Sequence, residues 1–237
     1  SRGVTRSAVK ARLEENLVAL DRGARKAVVQ AVHRARDVAA ATAPRAPLVL
    51  MFVGDTAAAA TLRYVACSVR RALVELDDSS SLAINASAAS SVRRPMNEFL
   101  GGCPRGAVVV HELNGLATEE VFAFKGYCDD TGGSHFPLAT FIFTVIADDV
   151  PSLAAATREP RRAQERAINV HLRAKWHSDA AATSSLVSRL TQSVVPIMAV
   201  AESSAFALAA DLDCGASDAA AALASLDTGR SADVYTW

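Results

Sequence analysis

No stretch of this 237-residue chain approaches the roughly 20 consecutive apolar residues that a bilayer crossing needs. It also lacks an initiating Met and any signal-like segment, starting at Ser1, so it reads as a soluble piece of something longer. Charge of one sign is missing as well. Lys+Arg and Asp+Glu both number 25, so no net field favours nucleic acid or an anionic membrane, and the expected partner is a protein. Lysine is scarce (Lys10, Lys26, Lys125 and Lys175), and with the alanine excess this reads as coding bias. The cysteines, Cys67, Cys103, Cys128 and Cys214, lack the C-x-x-C spacing of a zinc or thioredoxin site. Their even count and the acceptor tripeptide Asn85-Ala86-Ser87 lean toward an oxidising compartment, with Asn85 a candidate glycosylation site. His33, His135, His171 and His177 are scattered, so no metal site is expected.

What is present is enough apolar material, 51% of residues, to bury one sizeable core. From Thr5 to about Thr42, Val9, Leu13, Leu17, Leu20, Val28 and Val32 recur at helical spacing, which predicts one long helix over 5–42. Leu48 to Val53 is a continuous apolar run ending at Gly54, as a strand buried on both faces requires. A helix follows over Ala57 to Leu76, then a short edge strand at Leu82 to Asn85 and a helix over Ser91 to Leu100. Ala107 to Glu112 and Thr140 to Ile146 repeat the buried-strand pattern, with a helix between them that runs to about Tyr127. Glu159 to Trp176 is helical, with Ala163, Ile168 and Leu172 inward, as is Thr183 to Gln192. Val194 to Val200 is a last strand that Pro196 assigns to an edge. Strands alternating with helices define an α/β, Rossmann-like domain with a mainly parallel five-stranded sheet over 1–214. A tail, 215–237, follows, with a further helix expected at Asp218 to Leu226.

The strand and helix contexts of an ATPase are there, but the chemistry is not. A P-loop needs Gly-x-x-x-x-Gly-Lys-[Ser/Thr], since backbone amides cradle the phosphates, Lys pairs with them and the hydroxyl holds Mg²⁺. Here Gly54 and Thr61 remain, but Ala59 and Ala60 stand where Gly and Lys are required. A Walker B strand ends in Asp-Glu, and this one ends in His111-Glu112, a neutral imidazole being a poor Mg²⁺ ligand. The strand Phe141 to Ile146 carries no Asn near its end, where AAA+ ATPases have a sensor group. By themselves these blanks also fit an unrelated α/β protein in which Gly54 is a strand-ending turn.

The stretches Ala107 to Leu116, Phe122 to Asp130, Phe141 to Val145, Leu172 to Trp176 and Leu186 to Ile197 resemble the luminal domains of torsin-activating nuclear-envelope and ER proteins. These are the lamina-associated-polypeptide type and its luminal-domain-like relative. The resemblance runs from about Pro47 to Cys214, and its most specific parts are Tyr127-Cys128-Asp129 and Ser188-Arg189 with Val194 and Pro196. The first helix, including Leu13 to Leu17, looks closer to torsins or other AAA+ ATPases.

That resemblance implies a degenerate AAA+ large domain without the small helical domain, binding no nucleotide of its own. It implies a membrane anchor upstream and a location in the perinuclear space or ER lumen. It also implies docking beside a torsin, in a pair or hetero-oligomeric ring, to complete that partner's ATP- and Mg²⁺-bearing site in trans. Arg189 is the residue it marks as the arginine finger; without the resemblance, Arg189 is a cation in the last turn of a helix, where the macrodipole favours it. Cys128 and Cys214 match family positions and form either a disulfide or two separate buried thiols. Two other classes stay open: an α/β enzyme with a small-molecule site, and a tether that binds a partner without activating it.

Overall fold

Strands form where the sequence runs apolar without interruption, and helices where the apolar positions recur every three or four residues. The computed structural model describes residues 5–41, 46–77, 79–89, 91–129, 133–148, 161–176 and 180–200. The elements are α1 (Arg6–Asn16), α2 (Arg22–Ala41), β1 (Leu48–Gly54), α3 (Ala59–Asp77), β2 (Ser81–Asn85), α4 (Arg93–Gly102) and β3 (Ala107–His111). They continue with α5 (Thr118–Val121), α6 (Phe124–Tyr127), β4 (Thr140–Ile146), α7 (Arg161–Lys175), α8 (Ala180–Leu190) and β5 (Val194–Pro196). The tail expected at 215–237, with its helix, lies outside the described residues, as does Cys214.

The five strands pair in the order β2-β3-β4-β1-β5, and every pairing is parallel. β2 and β5 are the edges, so Pro196 removes no ladder hydrogen bond from an interior strand. Alternation along the central strands divides the core in two. Val49, Met51 and Val53 with Phe141, Phe143 and Val145 face α4 to α8; Leu50, Phe52, Val109 and Ile142 face α1, α2 and α3. Parallel strands covered on both faces are what continuous apolar runs require.

The single helix expected over 5–42 is two. α1 ends at Asn16 and α2 begins at Arg22, although Leu17 and Leu20 between them stay buried, so the apolar periodicity persists through a break in the backbone. Asp21 caps the second helix: its Oδ1 accepts from the amides of Gly23 at 2.7 Å and Ala24 at 3.0 Å. The buried Tyr64 hydroxyl on α3 donates to the Asn16 carbonyl at 2.7 Å and accepts from the Ala19 amide at 3.2 Å, satisfying two groups the break leaves open. Tyr64→Phe strands both, and is expected to lower stability by about 1 to 3 kcal/mol in urea denaturation. A change under about 0.5 kcal/mol would show that water replaces the hydroxyl.

Candidate functional site

With all strands parallel, their carboxyl ends lie together, and the chain leaves β1 over one face and β4 over the other. Between β1 and β4 is therefore the crevice where open α/β sheets bind ligands. Gly54, His111-Glu112 and the end of β4 all reach it. The protein's own groups already occupy it.

The turn after β1 shows this most directly. Asp55 caps a 3-10 turn, Thr56–Ala58, accepting from the Ala58 amide at 2.9 Å. Asp148, just past β4, accepts from the Thr56 amide at 2.7 Å and the Thr56 hydroxyl at 2.6 Å, and these bonds hold its carboxyl below its ordinary pKa. A carboxylate thus sits on the amide and hydroxyl at the head of α3, the end of a helix that attracts anions. Gly54 is needed for another reason: a Cβ there would lie 2.8 Å from the Ile197 carbonyl and 2.9 Å from the Ala58 Cβ. Thr61 is buried, and its hydroxyl accepts from the Val200 amide at 3.2 Å. The residues after β5 therefore run across the positions where a P-loop would hold phosphate and metal, while Ala59 and Ala60 open α3 without polar side chains.

At the end of β3, Glu112 has φ 57°, the one positive value for a non-glycine among the described residues. Its amide donates to the Thr144 hydroxyl at 2.9 Å. Ser87 at 2.5 Å and Arg63 Nη2 at 3.0 Å donate to its carboxylate, and, Ser87 foremost, they keep it ionised below its ordinary range. Asn114 bridges to β4, its amide nitrogen donating to the Ile146 carbonyl at 2.7 Å and its oxygen accepting from the Ile146 amide at 3.2 Å. Asn85, exposed at the end of edge strand β2, accepts from the Ser87 amide at 3.2 Å in a local turn.

His111 is buried under α3, and its Nδ1 has no hydrogen-bond partner. Desolvation, aided by the nearby Arg63, lowers its pKa from 6.5 to about 4. The unfolded chain thus takes up a proton on this ring at a higher pH than the folded one. Stability from His111 is complete above pH 6.5 and declines as pH falls toward 4, by on the order of 3 kcal/mol in all. His111→Phe is expected to flatten that slope in urea denaturation at pH 7, 5.5 and 4.5. Parallel slopes for variant and parent would place the proton elsewhere.

A second cluster lies at the opposite end of the sheet. Arg189 is in the last turn of α8, just before β5, and Tyr127-Cys128-Asp129 ends α6, ahead of β4. Arg189 Nη2 donates to Asp129 Oδ2 at 3.5 Å and its Nη1 to the Ser185 hydroxyl, one helical turn back. The side chains of Arg189 and Asp129 are only 15% and 18% exposed. The two most specific stretches of the sequence resemblance are thus in contact. Tyr127 is fixed from the other side, donating to Asn97 on α4 at 2.8 Å.

Cys128 is a free thiol, fully buried, and burial pushes its pKa well above the ordinary value. Of the two outcomes left open for Cys128 and Cys214, the disulfide is not made: the Cys128 side chain faces the packed core of α6 and β4, and the described cysteine that is disulfide-bonded is Cys67, on α3. Cys103 is also free.

No family profile matches the chain, and no curated protein does. Among solved structures it is similar to one described as the closed-state cryo-EM reconstruction of Hsp104:ATPyS and FITC casein. The match has a TM-score of 0.55 and 14% identity, over 79% of this chain and 35% of that one, so the chain spans about a third of that protein's length. The likeness shows the fold alone: an α/β, Rossmann-like domain built on a parallel five-stranded sheet. Where a P-loop would carry its second Gly and its Lys, and a Walker B strand its Asp, this chain has Ala59, Ala60 and His111.

Proposed function

We propose that this domain activates a torsin-type AAA+ ATPase, binding no nucleotide itself and supplying Arg189 to the partner's ATP in trans. The observation that carries the reading is the division of the molecule into two ends. At the carboxyl ends of the strands the crevice is filled by Asp148 and by the segment from Ile197 to Val200. At the other end Arg189 precedes β5, remote from that crevice, so it cannot serve a nucleotide there and suits one on a neighbour. The sequence resemblance puts a finger at the same place. ATP and Mg²⁺ belong to the partner, the pair or ring sits in the perinuclear space or ER lumen, a membrane anchor precedes the domain, and Asn85 carries a glycan.

Phosphate release by a cognate torsin, with and without this chain, tests the reading. Stimulation is expected, together with no saturable ATP binding by the chain alone in calorimetry. Binding of torsin without stimulation would make the protein a tether, and micromolar ATP binding abolished by Glu112→Ala would return the crevice to nucleotide.

A further inference from the structure

Resting on that activator reading, we infer that Arg189 is held back inside its own chain by Asp129 and Ser185, and that docking on the ATPase exchanges Asp129 for the partner's nucleotide. A finger needs its guanidinium donors for phosphate oxygens. Here Nη2 is on Asp129, Nη1 is on Ser185, and Nε is buried with no partner. The side chain is only 15% exposed, so little of it is presented to a neighbour.

The hold is built to be weak. A charge-assisted N–H···O bond is normally 2.7 to 2.9 Å, and the Asp129 contact, at 3.5 Å, is well beyond that. The acceptor is nonetheless kept in place. Asp129 follows α6, whose Phe124 and Tyr127 are locked among the rings of Phe141 and Phe143. Gly133 leaves room for the carboxylate, since a Cβ there would lie 3.0 Å from Asp129 Oδ2, the oxygen that Arg189 uses. A fixed acceptor and a long bond make a restraint that a better anion displaces, and a phosphoryl group with growing transition-state charge is such an anion. Asp129 and Ser185 are therefore positioning residues: they act on ATP hydrolysis only through Arg189.

Restraint lowers the fraction of chains that dock with the arginine free, which raises the concentration needed for half-maximal stimulation by the same factor. Asp129→Asn keeps the side chain's shape and removes its charge. Modification of the purified chain by phenylglyoxal, mapped by peptide mass spectrometry, reads the release without any ATPase. Arg189 is expected to react roughly fivefold faster in Asp129→Asn, and less markedly so in Ser185→Ala, while the exposed Arg93 and Arg94 keep the parent's rates as controls for folding. Titrated against torsin, Asp129→Asn is expected to reach half-maximal stimulation at a correspondingly lower concentration with the maximum kept. Unchanged labelling of Arg189 in both variants overturns the restraint, whatever the ATPase does. Faster labelling with a reduced maximum also overturns it, since Asp129 would then orient the guanidinium for catalysis. Failure of the activator reading looks different: the parent chain gives no stimulation, or Arg189→Ala stimulates like the parent.

Discussion

Arg189→Ala is expected to abolish stimulation of the torsin ATPase, with a loss on the order of 10³- to 10⁵-fold in the stimulated rate, while the complex still forms. The size of the effect follows from timing. A finger meets charge that grows only in the transition state, so its removal falls on kcat rather than on assembly. Affinity at an interface of ordinary size comes from apolar anchors that this substitution leaves alone. Arg189→Lys is expected to rescue poorly, because an ammonium cannot place two donors in a plane on two phosphate oxygens. The structure adds a requirement to the measurement. Arg189 is bonded within its own chain to Asp129 and Ser185 at low exposure, so its removal also costs roughly 1 to 3 kcal/mol of fold stability, and activity must be compared well below the variant's melting point. Parent-like stimulation by Arg189→Ala would move the finger to another basic residue. Loss of the complex itself would make Arg189 an interface residue.

Phe124→Ala is expected to be the most damaging single change to the fold, at about 3 to 5 kcal/mol in urea denaturation. The ring is fully buried and meets Phe143 at 5.1 Å, Tyr127 at 6.1 Å and Phe141 at 6.5 Å, all close to edge-on. Aromatic pairs of that geometry add to the burial itself. α6 is one turn long, too short to hold by its own hydrogen bonds, so its position depends on this packing. Loss of the ring should free Asp129 as well, and Arg189 with it, giving faster phenylglyoxal labelling in chains that remain folded. Phe124→Leu, keeping most of the volume, is expected to cost less than half as much. A loss under about 1 kcal/mol for Phe124→Ala would mean that neighbouring side chains collapse into the space.

The sheet was legible because burial on both faces writes itself as uninterrupted apolar runs: Leu48 to Val53, Ala107 to Val110 and Phe141 to Ile146 are strands in the structure. Pro196 marked β5 as an edge for an equally local reason, a missing donor. The break between α1 and α2 was hidden by Leu17 and Leu20, which stay on the core side after the helix stops. Asp21-Arg22-Gly23 was the local signal, an acceptor ahead of two amides that need one. Tyr64, Asp148 and Asp129 could not be found the same way. Their partners lie 48, 92 and 60 positions away in sequence, and nothing local in a tyrosine or an aspartate says which distant amide or guanidinium it will meet. The cysteines were undecidable for that reason too, since pairing depends on which way each side chain turns in the finished core.

Gly54 changes how a lone motif glycine is to be read. In a working P-loop the first glycine exists for the nucleotide, and a glycine at that place in a chain without the rest of the motif looks like inheritance. Here the missing Cβ makes room for the Ile197 carbonyl and the Ala58 methyl, so the residue is under a present-day packing demand. Placing Gly and Lys at 59 and 60 would not by itself make a phosphate site while Asp148 holds the Thr56 amide and the chain after β5 lies over Thr61. A glycine at the end of the first strand of such a domain is therefore no evidence by itself of a nucleotide site, because packing against the chain after β5 demands it for its own reasons.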